Sequence, residues 1–212
     1  VIRTVEPNLV VSHLNATDLR DAVLANATLH KATLTGANLV RASLTGADLR
    51  EANFTKANLR IANLTGANFR GANLTKSYLS ESNLSRADLC FTQMRGAFLM
   101  NANMEGVSLR GANLSRIELS NSNCKRDACF PTYLNSANLQ GADLRGANLR
   151  GAVLLNANLE NANLYNTNLK QADLRQANLT FAYFRDTNFT DADLRETIMP
   201  DGRVNLSHQL SL

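Results

Sequence analysis

The residue types that most often carry out chemistry are sparse in this sequence. His13, His30 and His208 lie far apart along the chain, and none belongs to a recognisable motif. No phosphate-binding loop and no metal-ligand spacing occurs in the sequence. We therefore expect a protein that is not an enzyme and that binds no metal and no cofactor.

Acidic side chains recur at one place, directly before a leucine, and there they alternate with asparagine. A short polar side chain of either kind can bond to the nearby backbone, so we interpret these residues as structural and not as catalytic. The aspartates at this position are Asp18, Asp48, Asp88, Asp143, Asp173 and Asp193.

The three cysteines are too few for a disulfide framework. Cys124 and Cys129 would form a disulfide in an oxidising compartment, whereas a cytoplasmic protein would keep them as free buried thiols. No apolar run is long enough to cross a membrane. A cytoplasmic location is favoured, and an exported or lumenal one would follow if Val1 were a mature N-terminus.

A repeat of five residues organises nearly the whole chain. Each unit reads Ala, Asp or Asn, Leu and two variable residues, and the central Leu position recurs without a change of phase from Leu9 to Met199. Neither a helix nor a strand has this period. The Ala and Leu residues would point inward, and the two variable residues, often ending in Gly, would turn the chain. The pattern predicts short sides that stack as a coil, about 4.8 Å apart.

In these units the sequence resembles the pentapeptide-repeat family, which is abundant in cyanobacteria, and the resemblance covers roughly residues 7–199. It implies an all-β fold, a right-handed β-helix of square cross-section with four units per coil and about ten coils. We expect an N-terminal cap at residues 1–8, the β-helix at 9–199 and a C-terminal cap or tail at 200–212.

At about residues 122–134 the residue types depart from the repeat, although the five-residue spacing is kept. Asp127 occupies an Ala position, where an unpaired carboxylate would be costly to bury. We expect either one distorted coil or an outward bulge of about ten residues. Since ten residues equal two units, a bulge would rotate every later side by half a coil.

Exposed aromatic residues define two candidate interaction patches, and ordinary stacking on a sheet surface is the alternative interpretation. In the family, C-terminal coils often form end-to-end dimers, so the resemblance implies a homodimer here. Alternatively, Val204, Leu206, Leu210 and Leu212 of the tail would cover the C-terminal rings. The patches are Tyr78, Phe98 and Met100, and, near the C-terminus, Tyr165, Phe181 and Tyr183.

A candidate basic face follows from one outward position, directly after the central Leu. Its members share one side only if no bulge intervenes, and such a stripe would attract an acidic partner or nucleic acid, or would simply be solvated. The residues are Arg50, Arg70, Arg110, Arg150 and Lys170.

The sequence favours a rigid, non-enzymatic scaffold for protein–protein interaction, with an unidentified partner. Binding of an acidic partner or nucleic acid is the first alternative. Some relatives in the family mimic DNA and bind type II topoisomerases, but that role uses a strongly acidic rod. With a net charge of +4 this chain is basic, so the DNA-mimic role is the weaker alternative.

Overall fold

The backbone forms a regular coil with four sides per turn. The computed structural model describes residues 7–118 and 132–206. Each five-residue unit forms a parallel bridge at the residue before the central Leu, and in the first part of the chain the partner lies twenty residues later, as in Asn58 and Tyr78. Pairing at four times the unit length means that four units complete each turn.

We number the four sides by these bridges. Residues that follow one another in a bridge series stack directly, one coil above the next. The first side carries Asp48, Asn68 and Asp88; the second Asn53, Asn73 and Gln93; the third Asn58, Tyr78 and Phe98; and the fourth Asn63, Asn83 and Asn103.

Backbone hydrogen bonds join each side to the next coil and close each corner. The N–H of Leu59 donates to the carbonyl of Tyr78 at 2.7 Å, and the N–H of Ile61 donates to Ser80 at 3.1 Å. Within the coil, the N–H of Ala62 donates to Leu59 at 3.1 Å and closes a turn. The polar backbone is thereby satisfied, as a buried core requires.

The corners explain the glycines of the repeat. From Val11 to Glu196, every described residue at the second variable position has a positive φ, from 52° at Ala16 to 71° at Gly71. Gly adopts this left-handed conformation freely, whereas other residues pay about 1–2 kcal/mol. Ile61 has a φ of 60° although it is β-branched. The rest of the fold therefore imposes the left-handed conformation on residues that disfavour it.

The interior is built from the Ala and Leu positions, as the repeat predicts. Ala57 and Leu59 are both 0% exposed, and burying a Leu side chain stabilises by about 1.5–3 kcal/mol. Phe54 and Phe69 take Leu positions and are accommodated edge to face, with 5.6 Å between their ring centroids. Ser77 replaces Ala, and its hydroxyl donates to the Leu74 carbonyl at 2.8 Å.

The pairing distance changes once along the chain. Phe98 pairs with Glu118, twenty residues later, but Asn103 pairs with Tyr133, thirty residues later. After four bridges of this longer spacing, pairing at twenty resumes with Tyr133 and Val153. Ten residues more than one turn therefore separate neighbouring coils here, the length of two units.

Much of the predicted irregular region lies outside the described residues. Asp127 and the candidate disulfide residues Cys124 and Cys129 belong to residues 119–131, which the structure does not describe. Tyr133 and Leu134 have already returned to the repeat: the first forms a regular bridge and the second is buried.

The described chain ends in a short hairpin. Strands β1 (Thr197–Ile198) and β2 (Val204–Asn205) pair antiparallel, and the connecting segment contains a turn, with a φ of 82° at Gly202. These are the two extended strands of the described residues, which contain no helix. The exposed fraction is 53% for Val204 and 85% for Leu206. Leu210 and Leu212, like most of the predicted N-terminal cap, lie outside the described residues.

Candidate functional site

The acidic residues before Leu have the structural role that the sequence predicts. Asp48 Oδ1 accepts a hydrogen bond from the N–H of Arg50, two residues on, at 3.2 Å. The Arg50 guanidinium also binds both carboxylate oxygens, at 2.8 and 2.7 Å, and this hydrogen bond lowers the pKa of Asp48. The same arginine pairing occurs at Asp18–Arg20, Asp143–Arg145, Asp173–Arg175 and Asp193–Arg195.

The predicted basic face is wrong as a single surface. Arg50, Arg70 and Arg110 stack on the first side. Arg150 and Lys170 lie on the third side, because their units continue the bridge series from Glu118. The ten extra residues shift the later units by two sides, which is half a coil.

Beyond Arg110, the row of residues on the first side continues with a neutral and an acidic residue. The N–H of Gly111 donates to Gln140 at 2.9 Å, and the N–H of Gly141 donates to Glu160 at 2.9 Å, so these two residues come next. The Arg70 guanidinium lies 4.9 Å from the centroid of the Phe91 ring. A continuous cationic stripe is therefore not present among the described residues of the first side.

A different basic surface lies on the second side. Here a groove of about 440 Å³ opens to solvent. We call it the second-side groove, and its lining residues are Arg95, Asn113, Ser115, Arg116, Arg145, Gly146, Tyr165 and Asn166.

The charges in the second-side groove are unevenly neutralised. Arg145 binds both carboxylate oxygens of Asp143, at 2.8 and 2.7 Å, which lowers the pKa of that carboxyl. Arg95 and Arg116 are exposed, and in the part of the chain that the structure describes neither forms an ion pair. The groove therefore presents positive charge to solvent.

Sequence reasoning missed this groove because its members follow no single interval. Arg95 and Ser115 are twenty residues apart, whereas Ser115 and Arg145 are thirty apart, across the change of register. The expected bulge would have revealed the groove if the ten-residue shift had been applied to the arginines of all four sides.

The structure brings together parts of both aromatic patches. Tyr78 and Phe98 stack on the third side with 5.2 Å between ring centroids and a 6° interplanar angle, and Met100, on the same side, is half-buried. Tyr165 and Tyr183 stack on the second side with centroids 6.4 Å apart. Phe181 lies at the corner leading to the second side and is 69% exposed. Tyr165 belongs to the groove as well as to the patch.

Within residues 7–118 and 132–206, no group of three His, Cys, Asp or Glu residues is arranged to hold a metal ion. The same residues include no helix with the length and apolar character needed to cross a bilayer.

A family model of pentapeptide repeats matches the chain in eight copies, at residues 8–39, 62–99, 82–121, 132–171 and 162–199. The chain belongs to the pentapeptide-repeat family. Pentapeptide-repeat proteins fold as right-handed quadrilateral β-helices, so this assignment and the four-sided pairing confirm the predicted fold class. The predicted number of coils, about ten, stays a prediction.

Solved structures of other pentapeptide-repeat proteins resemble the chain. HetL from the cyanobacterium Nostoc sp. strain PCC 7120, a protein involved in heterocyst differentiation regulation, is 32% identical over 93% of this chain and 83% of its own, with a TM-score of 0.42. Rfr23 from the cyanobacterium Cyanothece 51142 is 30% identical over 53% of this chain and 63% of its own, with a TM-score of 0.27.

QnrB1, a plasmid-mediated fluoroquinolone resistance protein, is 18% identical over 91% of this chain and 87% of its own, with a TM-score of 0.51. At this identity the likeness concerns the fold alone. The comparison with curated proteins gave no match.

Proposed function

We propose that the protein is a rigid, non-enzymatic scaffold that binds a protein partner, and that the second side is its docking surface. The observation that carries this proposal is the stacked pair Tyr165 and Tyr183, which are 41% and 51% exposed and adjoin the second-side groove. Large aromatic rings left in water next to a charged groove are a costly arrangement unless a partner covers them.

The surrounding fold favours binding without rearrangement. Tyr183 N–H donates to the Ala162 carbonyl at 2.9 Å, and Tyr165 N–H donates to Asn163 Oδ1 at 3.1 Å. Both rings therefore stand on hydrogen-bonded backbone above a buried core. Tyr is enriched in protein interfaces because it combines apolar area with few rotatable bonds. A rigid platform of this kind loses little conformational entropy when it binds.

A capture experiment tests the docking surface. The intact protein, immobilised as bait, is compared with a Tyr165→Ser, Tyr183→Ser variant in a lysate of the native host. Ser already occurs at the same positions of other units, Ser115 and Ser108, so the variant should fold. We expect a protein retained by the wild type and lost from the double variant.

Tyr133→Ser is the matched control, because this ring is 43% exposed and lies on the fourth side. The control bait should retain the same protein as the wild type. Identical capture by all three baits would contradict a docking surface on the second side.

Self-association through the last coils is a second candidate. Phe184 and Phe189 occupy central positions there, edge to face with 5.5 Å between their centroids, yet they are only half-buried. A second copy stacked on this end would bury them. We expect a dimer in sedimentation of the intact protein and a monomer for a Phe181→Asp, Tyr183→Asp variant. A monomer in both samples at tens of micromolar would reject the dimer.

A further inference from the structure

We propose that the second-side groove binds an extended acidic segment of a protein partner, whose carboxylates pair with Arg95 and Arg116. This inference rests on the proposed function, because it names the chemistry of a partner on the same side.

The geometry leaves space for a carboxylate between the arginines. Arg95, Ser115 and Arg145 take equivalent positions on three successive coils, so the two arginines stand about 10 Å apart along the axis. The Ser115 side chain between them is small, and its Oγ donates a hydrogen bond to Asn113 Oδ1 of the same unit at 2.7 Å. Arg116, at the adjoining corner, borders the same space.

In the part of the chain that the structure describes, no carboxylate neutralises Arg95, which has no aspartate two positions earlier. Where an aspartate precedes the central Leu, the arginine that follows this Leu is held by that aspartate, as Arg175 is by Asp173 at 2.7 Å. Arg95 instead follows Gln93, whose Oε1 accepts a hydrogen bond from Asn113 at 3.2 Å. The carboxylate that neutralises Arg175 is thus replaced by an amide at Arg95.

Arg116 has no acidic neighbour at its corner among the described residues. Where an acid stacks next to a corner cation, the two pair, as Arg41 does with Asp21 at 2.7 Å. The neighbours of Arg116 at its own corner are Gly96 and Gly146, which carry no charge and no side chain. Two arginines without an acidic neighbour among the described residues therefore line one groove.

The same corner extends the positive surface toward the N-terminus. Lys56 and Lys76 precede Gly96 at this corner, so the basic strip runs from Lys56 to Gly146 over a distance of about 20 Å. An extended peptide rises about 3.3 Å per residue, so the strip fits a segment of about six residues. Acidic side chains at alternate positions of that segment would face the strip.

These features favour a protein segment over nucleic acid. The planar guanidinium forms two parallel hydrogen bonds with a carboxylate, and Tyr165 offers apolar surface at the end of the groove. Proteins that depend on phosphate contacts for affinity typically use about 6–10 of them. The strip contains fewer cations, and one of these, Arg145, already binds Asp143.

The test measures fluorescence anisotropy of three labelled probes at low salt: a peptide of about twelve alternating Glu and Ser residues, its Gln–Ser counterpart, and a DNA duplex of about twenty base pairs. The groove variant is Arg95→Glu, Arg116→Glu. The matched control, Arg70→Glu, Arg110→Glu on the first side, makes the same change in net charge.

The groove variant should fold, because the repeat already places Glu at these positions, with Glu160 after a Leu and Glu81 at a corner. An unchanged melting temperature in both variants confirms that charge alone has been altered. We expect the wild type to bind the Glu–Ser peptide and not the Gln–Ser peptide. Binding should weaken about tenfold or more in the groove variant and about twofold or less in the control.

Three results would overturn the inference: no binding of the Glu–Ser peptide by the wild type, equal weakening in both variants, or tighter binding of the duplex than of the peptide. The capture experiment with the tyrosine variants has a separate readout. If those baits still distinguish a partner while the peptide result is negative, the chemistry assigned to the groove is wrong and the docking surface stands.

Discussion

Residues 7–118 and residues 132–206 share one interior and carry different exteriors. In both segments most of the Ala and Leu positions are buried, with Ala57 and Ala157 at 0% and 1% exposure, and the corner residues have positive φ. The outward positions do not continue across the change of register. On the first side, Arg110 is followed by Gln140 and not by another arginine.

This difference separates two kinds of constraint. The interior needs a small residue and a Leu every five residues, and ten extra residues leave that requirement unchanged because ten is a multiple of five. The exterior depends on which units are stacked, so the same ten residues rearrange every outward row. Binding surfaces are therefore set by the register between the segments, whereas stability is set within each.

The largest expected effect is an all-or-none cross-link across the change of register. In a background with the three native cysteines changed to Ser, Asn113→Cys with Asp143→Cys should form a disulfide on mild oxidation. The two residues form a parallel bridge, and neighbouring coils lie about 4.8 Å apart, within the range that a disulfide spans. Mass spectrometry of the digested protein measures the product.

Asn113→Cys with Tyr133→Cys is the control, because these residues would be neighbours if pairing at twenty residues continued. It should stay reduced within one chain, since Tyr133 lies on the fourth side. A disulfide in the control and none in the first variant would disprove the register that separates the two segments.

Replacing a buried alanine should have the next largest effect, and an equal one in both segments. Ala57→Arg and Ala157→Arg each place a charge in a column of small buried residues, which should destabilise by about 3–5 kcal/mol. Thermal unfolding followed by circular dichroism measures both. Lys56→Arg, at an exposed corner next to Ala57, should leave the melting temperature unchanged.

If the losses of unfolding free energy in the two alanine variants differ by more than about 1 kcal/mol, the two segments do not share one packing rule. An unchanged melting temperature for either variant would mean that its position faces water.

A smaller effect should separate two glycines that stack on either side of the register change. Gly111 and Gly141 have φ of 64° and 65°, so an alanine at either costs about 1–2 kcal/mol. At Gly111 the added Cβ would also lie 2.8 Å from the Phe91 ring, whereas nothing lies within 4 Å at Gly141. Gly111→Ala should therefore be the more destabilising in chemical denaturation, and equal losses would contradict the Phe91 contact.

The smallest effect concerns pH. Hydrogen bonds from arginine lower the pKa of Asp48 in the first segment and of Asp143 in the second, below the ordinary value of 3.8. When the pKa of a carboxyl group is lower in the folded state than in the unfolded state, its ionised form stabilises the fold. This stabilisation is fully present above the pKa of the unfolded state and is lost as the pH falls through the pKa of the folded state. Each pair should contribute less than about 1 kcal/mol, since its arginine is solvent-exposed.

Asp48→Asn and Asp143→Asn keep the oxygen that accepts the backbone hydrogen bond and remove the titration. Denaturation curves at neutral pH and below pH 3.8 should show a smaller acid loss in both variants than in the wild type. If neither substitution changes the decrease in stability at low pH, other carboxyl groups cause the acid sensitivity.

The sequence by itself determined the interior. Ala57 and Leu59 could be assigned to the core, Gly66 to a corner and Asp48 to a backbone contact, because each depends only on its place within one unit. A period of five leaves a single inward-facing pair per unit, and dozens of units repeat the same choice. The four-sided cross-section came from the family resemblance, and the parallel bridges agree with it.

Only the tertiary structure decided which outward residues meet. Arg95 and Arg145 come together, and Arg110 and Arg150 separate, because hydrogen bonds between coils join units twenty residues apart in most of the chain and thirty apart at one place. The pentapeptide phase is the same for both spacings, so the sequence pattern cannot distinguish them. The proposed docking side of this protein therefore depends on how its coils stack.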